Sequence, residues 1–245
     1  MRSIVSLHVH HFCRPLCRKT LTGLAPILPK GRPLSVVLET TGLDPLRDRI
    51  KAIALGCHPD NSLLLRICDE EDPKAVRAFL DDRPLILYDS ATTSAFLRHI
   101  GVDPVVHGDP KLMAFVLDPT ESLELGAIAQ RYVGFDLKYT PAEDLEVGVL
   151  CGSSEELPND NEEILARMAS AVLRLQGYFS GRLGWASGLY EVELAIAPIC
   201  ADMRLTGIAL STPALQAVSM ELDHGVAVLQ TRLNAIYPNA GTNWH

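Results

Sequence analysis

The sequence predicts an α/β fold in which a mixed sheet is covered by helices and followed by a C-terminal helical segment. Three observations carry this expectation. Short apolar runs are joined by tight turns between residues 34 and 67, strand-like and helix-like segments alternate from 72 to 117, and apolar stripes at helical spacing begin at residue 165.

Leu34, Val36, Val37 and Leu38 form an apolar run that ends in Thr40-Thr41-Gly42 and Asp44-Pro45, as a strand entering a turn does. Ile50 to Gly56 and Ser62 to Ile67 are two further strands, and His58-Pro59-Asp60-Asn61 between them has the composition of a hairpin turn. Connections this short make the three strands antiparallel neighbours. Asp72-Pro73 suits a helix start, and Val76, Phe79 and Leu80 share one face of the helix it opens, which ends near Asp82. Leu85 to Tyr88 is a fourth strand, with helices over Thr93 to Ile100 and Leu112 to Leu117. Parallel strands need such crossovers, so the sheet is expected to be mixed.

Tyr139 to Asp160 is acidic and rich in turn formers, and reads as a long loop. Leu165, Met168, Val172, Leu175 and Phe179 then repeat at 3, 4, 3 and 4, a helical stripe that packs on the sheet. Gly181 to Gly188 interrupts the pattern. Leu189, Val192, Ile196, Ile199 and Met203 define another amphipathic helix ending at Gly207, and Thr212-Pro213 opens a last one that runs to about Ile236. Its stripe of Leu215, Val218, Leu222, Val226 and Leu229 has no evident cover within the chain. The expected division is a basic, flexible extension over 1–30, a sheet domain over 31–182 and a helical segment over 187–245.

The formal charge of −8 argues against holding nucleic acid through an overall basic surface, while leaving local basic patches open. The apolar runs are far short of the roughly 20 residues that span a bilayer, so no membrane partner is expected. Six scattered cysteines without a cleavable apolar segment fit a reducing compartment. Residues 1–38 lack Asp and Glu but carry Arg2, Arg14, Arg18, Lys19, Lys30 and Arg32. That composition suits an organellar transit peptide or a plain extension, and residues 1–30 are expected to be dispensable for folding. His8, His10, His11, Cys13 and Cys17 are zinc-ligand types, but a basic tail accounts for them without a metal.

Val36-Val37-Leu38-Glu39-Thr40-Thr41-Gly42-Leu43-Asp44-Pro45 followed by Asp48-Arg49-Ile50 resembles the first motif of DEDD exonucleases. There an Asp-x-Glu ends a strand, because residues two apart share a face and can bind one metal pair. Leu87-Tyr88-Asp89-Ser90-Ala91-Thr92-Thr93 resembles the second motif, and Ala169 to Leu175 the helix of the third. Asp109 to Pro119, Ser122 to Ala129 and Tyr132-Val133-Gly134 match the intervening helices. Tyr190 to Leu194, Pro198-Ile199, Met203 and Gly207-Ile208 resemble the opening of a polymerase domain, and Asn243-Trp244 falls where an Asn-x-Asn-Ser-Pro segment would begin. Together these are similar to the 3′–5′ exonuclease domain, of RNase H-like fold, of family A (bacterial polymerase I-like) DNA polymerases, plus the first, thumb-like helices of the polymerase domain.

The resemblance implies a site with one remnant carboxylate, Glu39. Val37, Thr93 and Met168 stand where the other three belong, and Ile164 stands at the Tyr of the third motif. Thr40 and Leu43 fall at the positions that contact a single-stranded 3′ end. No cofactor is expected, Mg²⁺ or Mn²⁺ entering only if the site is active. The implied partners are DNA, as a single-stranded 3′ end or a primer–template, and the remainder of a polymerase domain. The implied location is cytoplasmic and nucleoid-associated, or organellar if residues 1–30 are a transit peptide. A silent scaffold beside a polymerase domain, a nuclease with rearranged ligands such as Asp89, Asp109 and Asp118, and a pseudoenzyme that binds a protein are the three functions compatible with this reading.

Overall fold

The structure, a computed structural model, describes residues 10–15, 31–59, 61–67, 72–137 and 160–237. Most of the loop expected from Tyr139, the Asn243-Trp244 segment, and His8 and Cys17 lie outside the described residues. The elements run β1 (His10–Pro15), β2 (Leu34–Thr40), β3 (Ile50–His58), β4 (Asn61–Arg66), α1 (Asp72–Leu80), β5 (Pro84–Leu87), α2 (Ser90–His99) and β6 (Val105–Gly108). They continue with α3 (Pro110–Leu117), α4 (Leu125–Ile128), α5 (Asp160–Ser180), α6 (Ser187–Thr206) and α7 (Thr212–Ile236). A π-helical turn over Ala129–Val133 prolongs α4 and stops at Gly134, whose φ of 64° is the left-handed conformation that glycine adopts freely.

The six strands lie in the order β1-β4-β3-β2-β5-β6. β2, β3 and β4 form the expected antiparallel meander, and β5 and β6 add in parallel beside β2. The sheet is therefore mixed, as the short turns and helical crossovers require. Two strands were not expected. β6 is only four residues, exposed at Val105 and His107, and leaves no apolar run to read. β1 corrects the expectation of a flexible tail over 1–30, because His10–Pro15 pairs in parallel with β4 along the sheet edge. Edge pairing uses main-chain hydrogen bonds, so it needs no apolar periodicity in the added strand. A chain starting at Gly31 is accordingly expected to melt more than about 2 °C lower, a loss of roughly 1 kcal/mol. Amide exchange over β4 should quicken with it, and an unchanged melting temperature with unchanged exchange would show that β1 adds nothing.

Side-chain alternation sends the two faces of the sheet into two cores. Leu34 and Val36 of β2, Ile53 and Leu55 of β3, and Leu85 and Leu87 of β5 pack with Val76, Phe79 and Leu80 of α1 and Phe96 and Leu97 of α2. Val37, Ala52, Ala54, Leu64 and Ile86 pack on the other face with Leu165, Ala169, Val172, Leu175 and Phe179 of α5. The strand residues beneath α5 are small where the helix crosses β2 and β3. The Ser35 hydroxyl donates to the Ala169 carbonyl at 2.6 Å, and a Cβ on Gly56 would lie 2.8 Å from that same oxygen. A helix this close to a sheet tolerates only Gly, Ala or Ser at the crossing.

The chain divides into two compact units between Leu205 and Thr206. By packing, α6 belongs with the sheet unit, whereas the helical pattern in the sequence breaks earlier, at Gly181 to Gly188. The apolar stripe of α6 does not face the sheet unit: Leu189, Val192, Ile196, Ile199 and Met203 are exposed, and Tyr190, Ala197 and Ala201 are buried instead. Two alanines and one polar-tipped aromatic let the helix come close, which the five larger side chains would prevent. The second unit is α7, opened by a Ser211 cap on Ala214, and its stripe of Leu215, Val218, Leu222, Val226 and Leu229 is exposed.

Candidate functional site

β2 places Val37 and Glu39 on the α5 face at the end of the strand. Val37 is buried, and Met168 of α5 packs against the same apolar cluster. Opposite them β3 carries a bulge: Glu39 pairs with Ala52 and Thr40 with Ile50, so Lys51 is the extra residue. The bulge also explains why Ile50 and Ala52, two apart in sequence, belong to cores on opposite faces. It brings the Lys51 ammonium to 3.7 Å from the Glu39 carboxylate.

The turn that follows is held by its own side chains. The Thr40 hydroxyl donates to the Gly42 carbonyl at 2.6 Å. The Asp48 carboxylate accepts from the Thr41 hydroxyl and from the Asp44 amide, both at 2.9 Å, and lies where a Cβ on Gly42 would be. Leu43 at the tip is 79% exposed.

The second motif forms the turn between β5 and α2. Asp89 caps α2 from the left-handed region at φ 59°, accepts from the Thr92 amide and pairs with Lys111 at 2.8 Å. Burial works against its charge, but the Lys111 ammonium and the cap hydrogen bonds hold its carboxyl below the usual aspartate range. Thr93 is buried and donates to the Tyr88 carbonyl at 3.1 Å. Tyr88 in turn donates to the Leu123 carbonyl, and burial pushes its phenol upward. Asp109 caps α3 and is fully buried, accepting from the amides of Ser90, Lys111 and Leu112. Desolvation outweighs those bonds and raises its carboxyl above the usual range. Asp118 at the end of α3 accepts from the Thr120 amide and hydroxyl. Asp89, Asp109 and Asp118 thus each serve a turn or cap.

Five hydrogen bonds tie α6 across these turns. The Asp109 amide donates to the Tyr190 hydroxyl at 3.0 Å, and burial pushes that phenol up to about 12. Arg98 of α2 donates to the Pro198 carbonyl and to Asp202. Arg204 donates to the Thr92 hydroxyl and to the Leu43 carbonyl, so one guanidinium spans the first and second motif turns. The fold brings Val37 together with Met168, Glu39 with Lys51, and Leu43 with Thr92 through Arg204. Lys51 and Arg204 escaped the sequence reading. The alternation of Arg49 and Lys51 with Ile50 and Ala52 marks an exposed charged edge, whereas Arg204 lies 161 residues from Leu43 and carries no local signal. Among the described residues no group of three or more His, Cys, Asp or Glu side chains is placed to hold a metal ion. No described helix is long and apolar enough to cross a membrane.

The mixed sheet with α5 across one face and α1 and α2 on the other defines an α/β domain of RNase H-like fold. The Brucella melitensis NrnC structure with bound Mg²⁺ superposes with a TM-score of 0.62 at 17% identity, covering 83% of this chain and 96% of that one. The POL domain of Pol1 from M. smegmatis, in complex with DNA primer-template and dNTP, gives 0.67 at 18% identity, covering 95% of this chain and 38% of that one. Sequence narrows the class: the chain is a relative of DNA polymerase I and corresponds to a 3′–5′ exonuclease-type domain of that family. It is 31% identical over 164 residues to the thermostable DNA polymerase I of Thermus aquaticus, which is 66% of this chain and 17% of that protein. It is 26% identical over 214 residues to DNA polymerase I of Lactococcus lactis subsp. cremoris, 85% of this chain and 23% of that protein. The chain thus spans about a fifth of the length of these curated relatives. No protein-family model matches it.

Proposed function

We propose that this domain is catalytically silent and serves as a structural and nucleic-acid-binding module beside a polymerase domain. The observation that carries the reading is the burial of Val37 in the core against which Met168 also packs. In the implied site both positions hold carboxylates that share two divalent cations, one to activate water and one to stabilise the leaving oxygen. The residues present do not fit such a pair. Apolar surface fills the space, Thr93 is committed to the Tyr88 carbonyl, and Glu39 is balanced by Lys51. Four positive charges cannot be compensated by one carboxylate that already has a partner. Thr40 and Leu43 keep their turn, and the exposure of Leu43 leaves it free to meet a base. The partner this reading implies is the remainder of a polymerase domain.

The test is a single-stranded oligonucleotide labelled at its 3′-terminal nucleotide, incubated with the full chain and Mg²⁺ or Mn²⁺. No mononucleotide release above the metal-only control is expected. Metal-dependent release that disappears in Glu39→Ala would replace this reading by that of a nuclease with rearranged ligands.

A further inference from the structure

The ion pair at the β3 bulge and the guanidinium that spans the two motif turns lie on either side of the same exposed loop. Arg47 and Arg49 are on its return limb, Lys51 follows on β3 beside Glu39, and Arg204 reaches its tip at the Leu43 carbonyl. Lys51, Arg49 and Arg204 are exposed. The carboxylates nearby are already engaged: Glu39 with Lys51, Asp44 with Arg47 at 3.5 Å, and Asp48 with the Thr41 hydroxyl and the Asp44 amide. Four cations therefore face three occupied carboxylates around an exposed leucine, on a chain whose formal charge is −8. A local cationic surplus beside an apolar tip is the pattern that tracks a phosphate backbone while a base stacks on the tip.

We propose that this turn binds single-stranded nucleic acid without a divalent cation, Arg49 and Arg204 taking phosphates and Lys51 supplying at Glu39 the positive charge that a metal would bring. The proposal rests on the reading that the domain retains nucleic-acid contacts, and it adds how they are made. The bulge is what makes it possible, since it turns Lys51 toward Glu39 and so removes the repulsion a bare carboxylate would exert on phosphate. Arg204 brings α6 into the binding surface and fixes the spacing of the turns that follow β2 and β5.

The test is fluorescence anisotropy of a labelled oligothymidine with the full chain, in excess EDTA and in Mg²⁺, over a series of salt concentrations. Binding in EDTA is expected to equal or exceed that in Mg²⁺, because the divalent ion acts only as a competing counterion. Arg204→Gln and Arg49→Gln should each weaken binding about three- to tenfold and lower the salt slope by roughly 0.7, the value for one phosphate contact on a single strand. Lys51→Gln should weaken it similarly, and Glu39→Gln added to Lys51→Gln should restore most of the loss. Thermal melts identify any variant that fails to fold, and Arg49→Gln, which leaves the Leu43–Thr92 bridge intact, remains informative if Arg204→Gln loosens the turns. Binding that requires Mg²⁺, or that is indifferent to Arg49 and Lys51, overturns this inference while leaving the binding-module reading in place. No binding by the wild-type chain in either condition overturns both.

Discussion

Asp109→Ala is expected to lower the melting temperature by about 6–12 °C, the consequence of roughly 3 kcal/mol in a chain of this size. The carboxylate is fully buried and satisfies three main-chain amides at once: Ser90 at 2.7 Å, Lys111 at 2.9 Å and Leu112 at 3.4 Å. Two of these are the orphan donors of α3, worth about 1 kcal/mol as a cap. The third, from Ser90, crosses 19 residues and would be left buried without an acceptor, at a cost of about 1–3 kcal/mol. Asp109→Asn keeps the shape and is expected to lose less. It also isolates a pH effect. Because burial raises the folded-state pKa, the folded state binds the proton more tightly than the unfolded chain. The wild-type advantage over Asp109→Asn should therefore be fullest below the ordinary aspartate pKa and decline as pH rises through the elevated value. Chemical denaturation of both proteins across that window measures it, and an advantage that grows with pH would contradict the assignment.

Gly56→Val is expected to cost about 3 kcal/mol or to prevent folding. Its Cβ would lie 2.3 Å from the Ser35 hydroxyl, 2.8 Å from the Ala169 carbonyl oxygen and 3.1 Å from the Ala169 carbonyl carbon. The last two are backbone of α5, so relief requires lifting the helix from a core that includes Val172, Leu175 and Phe179. Overpacking against an immovable neighbour costs about 1–3 kcal/mol and occasionally more, and the Ser35–Ala169 hydrogen bond would be lost with it. Gly108→Ala is the control. There the obstruction is the carboxamide of Gln176, at 2.4–2.6 Å, which is the end of a flexible side chain and can swing aside. Urea midpoints should fall much further for Gly56→Val than for Gly108→Ala, and comparable losses would mean that α5 yields easily.

The strands β2 to β5 and every long helix were legible because each announces itself within a dozen residues. Leu34 to Leu38 ends in a glycine turn, Asp72-Pro73 opens a helix, and Leu165 to Phe179 keeps a single stripe. What escaped is set by partners remote in sequence. β1 exists through the open edge of β4, and β6 through an alignment with β5 that needs no apolar run. The buried side of α6 does not follow its periodicity for a related reason: the large apolar stripe is the stronger periodic signal, but Tyr190, Ala197 and Ala201 are the residues able to approach. At the candidate site the motif spacing pointed to Val37, Glu39, Thr93 and Met168, of which Val37 and Met168 meet in one apolar cluster. Lys51 depends on a bulge, which breaks the alternation on which strand reading rests.

The Arg204 bridge also gives the chain a timetable during synthesis. The Leu43 carbonyl and the guanidinium that holds it are 161 residues apart, and the Arg98–Asp202 pair spans 104. At about 5–20 residues added per second, the turn after β2 waits roughly 8 to 30 seconds between being made and being pinned. The meander of β2, β3 and β4 can close early from local contacts, yet the turn after β2 stays unpinned until α6 has left the ribosome. Contacts of such long range slow the final step of folding relative to a hairpin. Ribosome-stalled chains ending before and after residue 204 should then differ in protease sensitivity at Leu43 and Leu46 while sharing a protected β3–β4 hairpin.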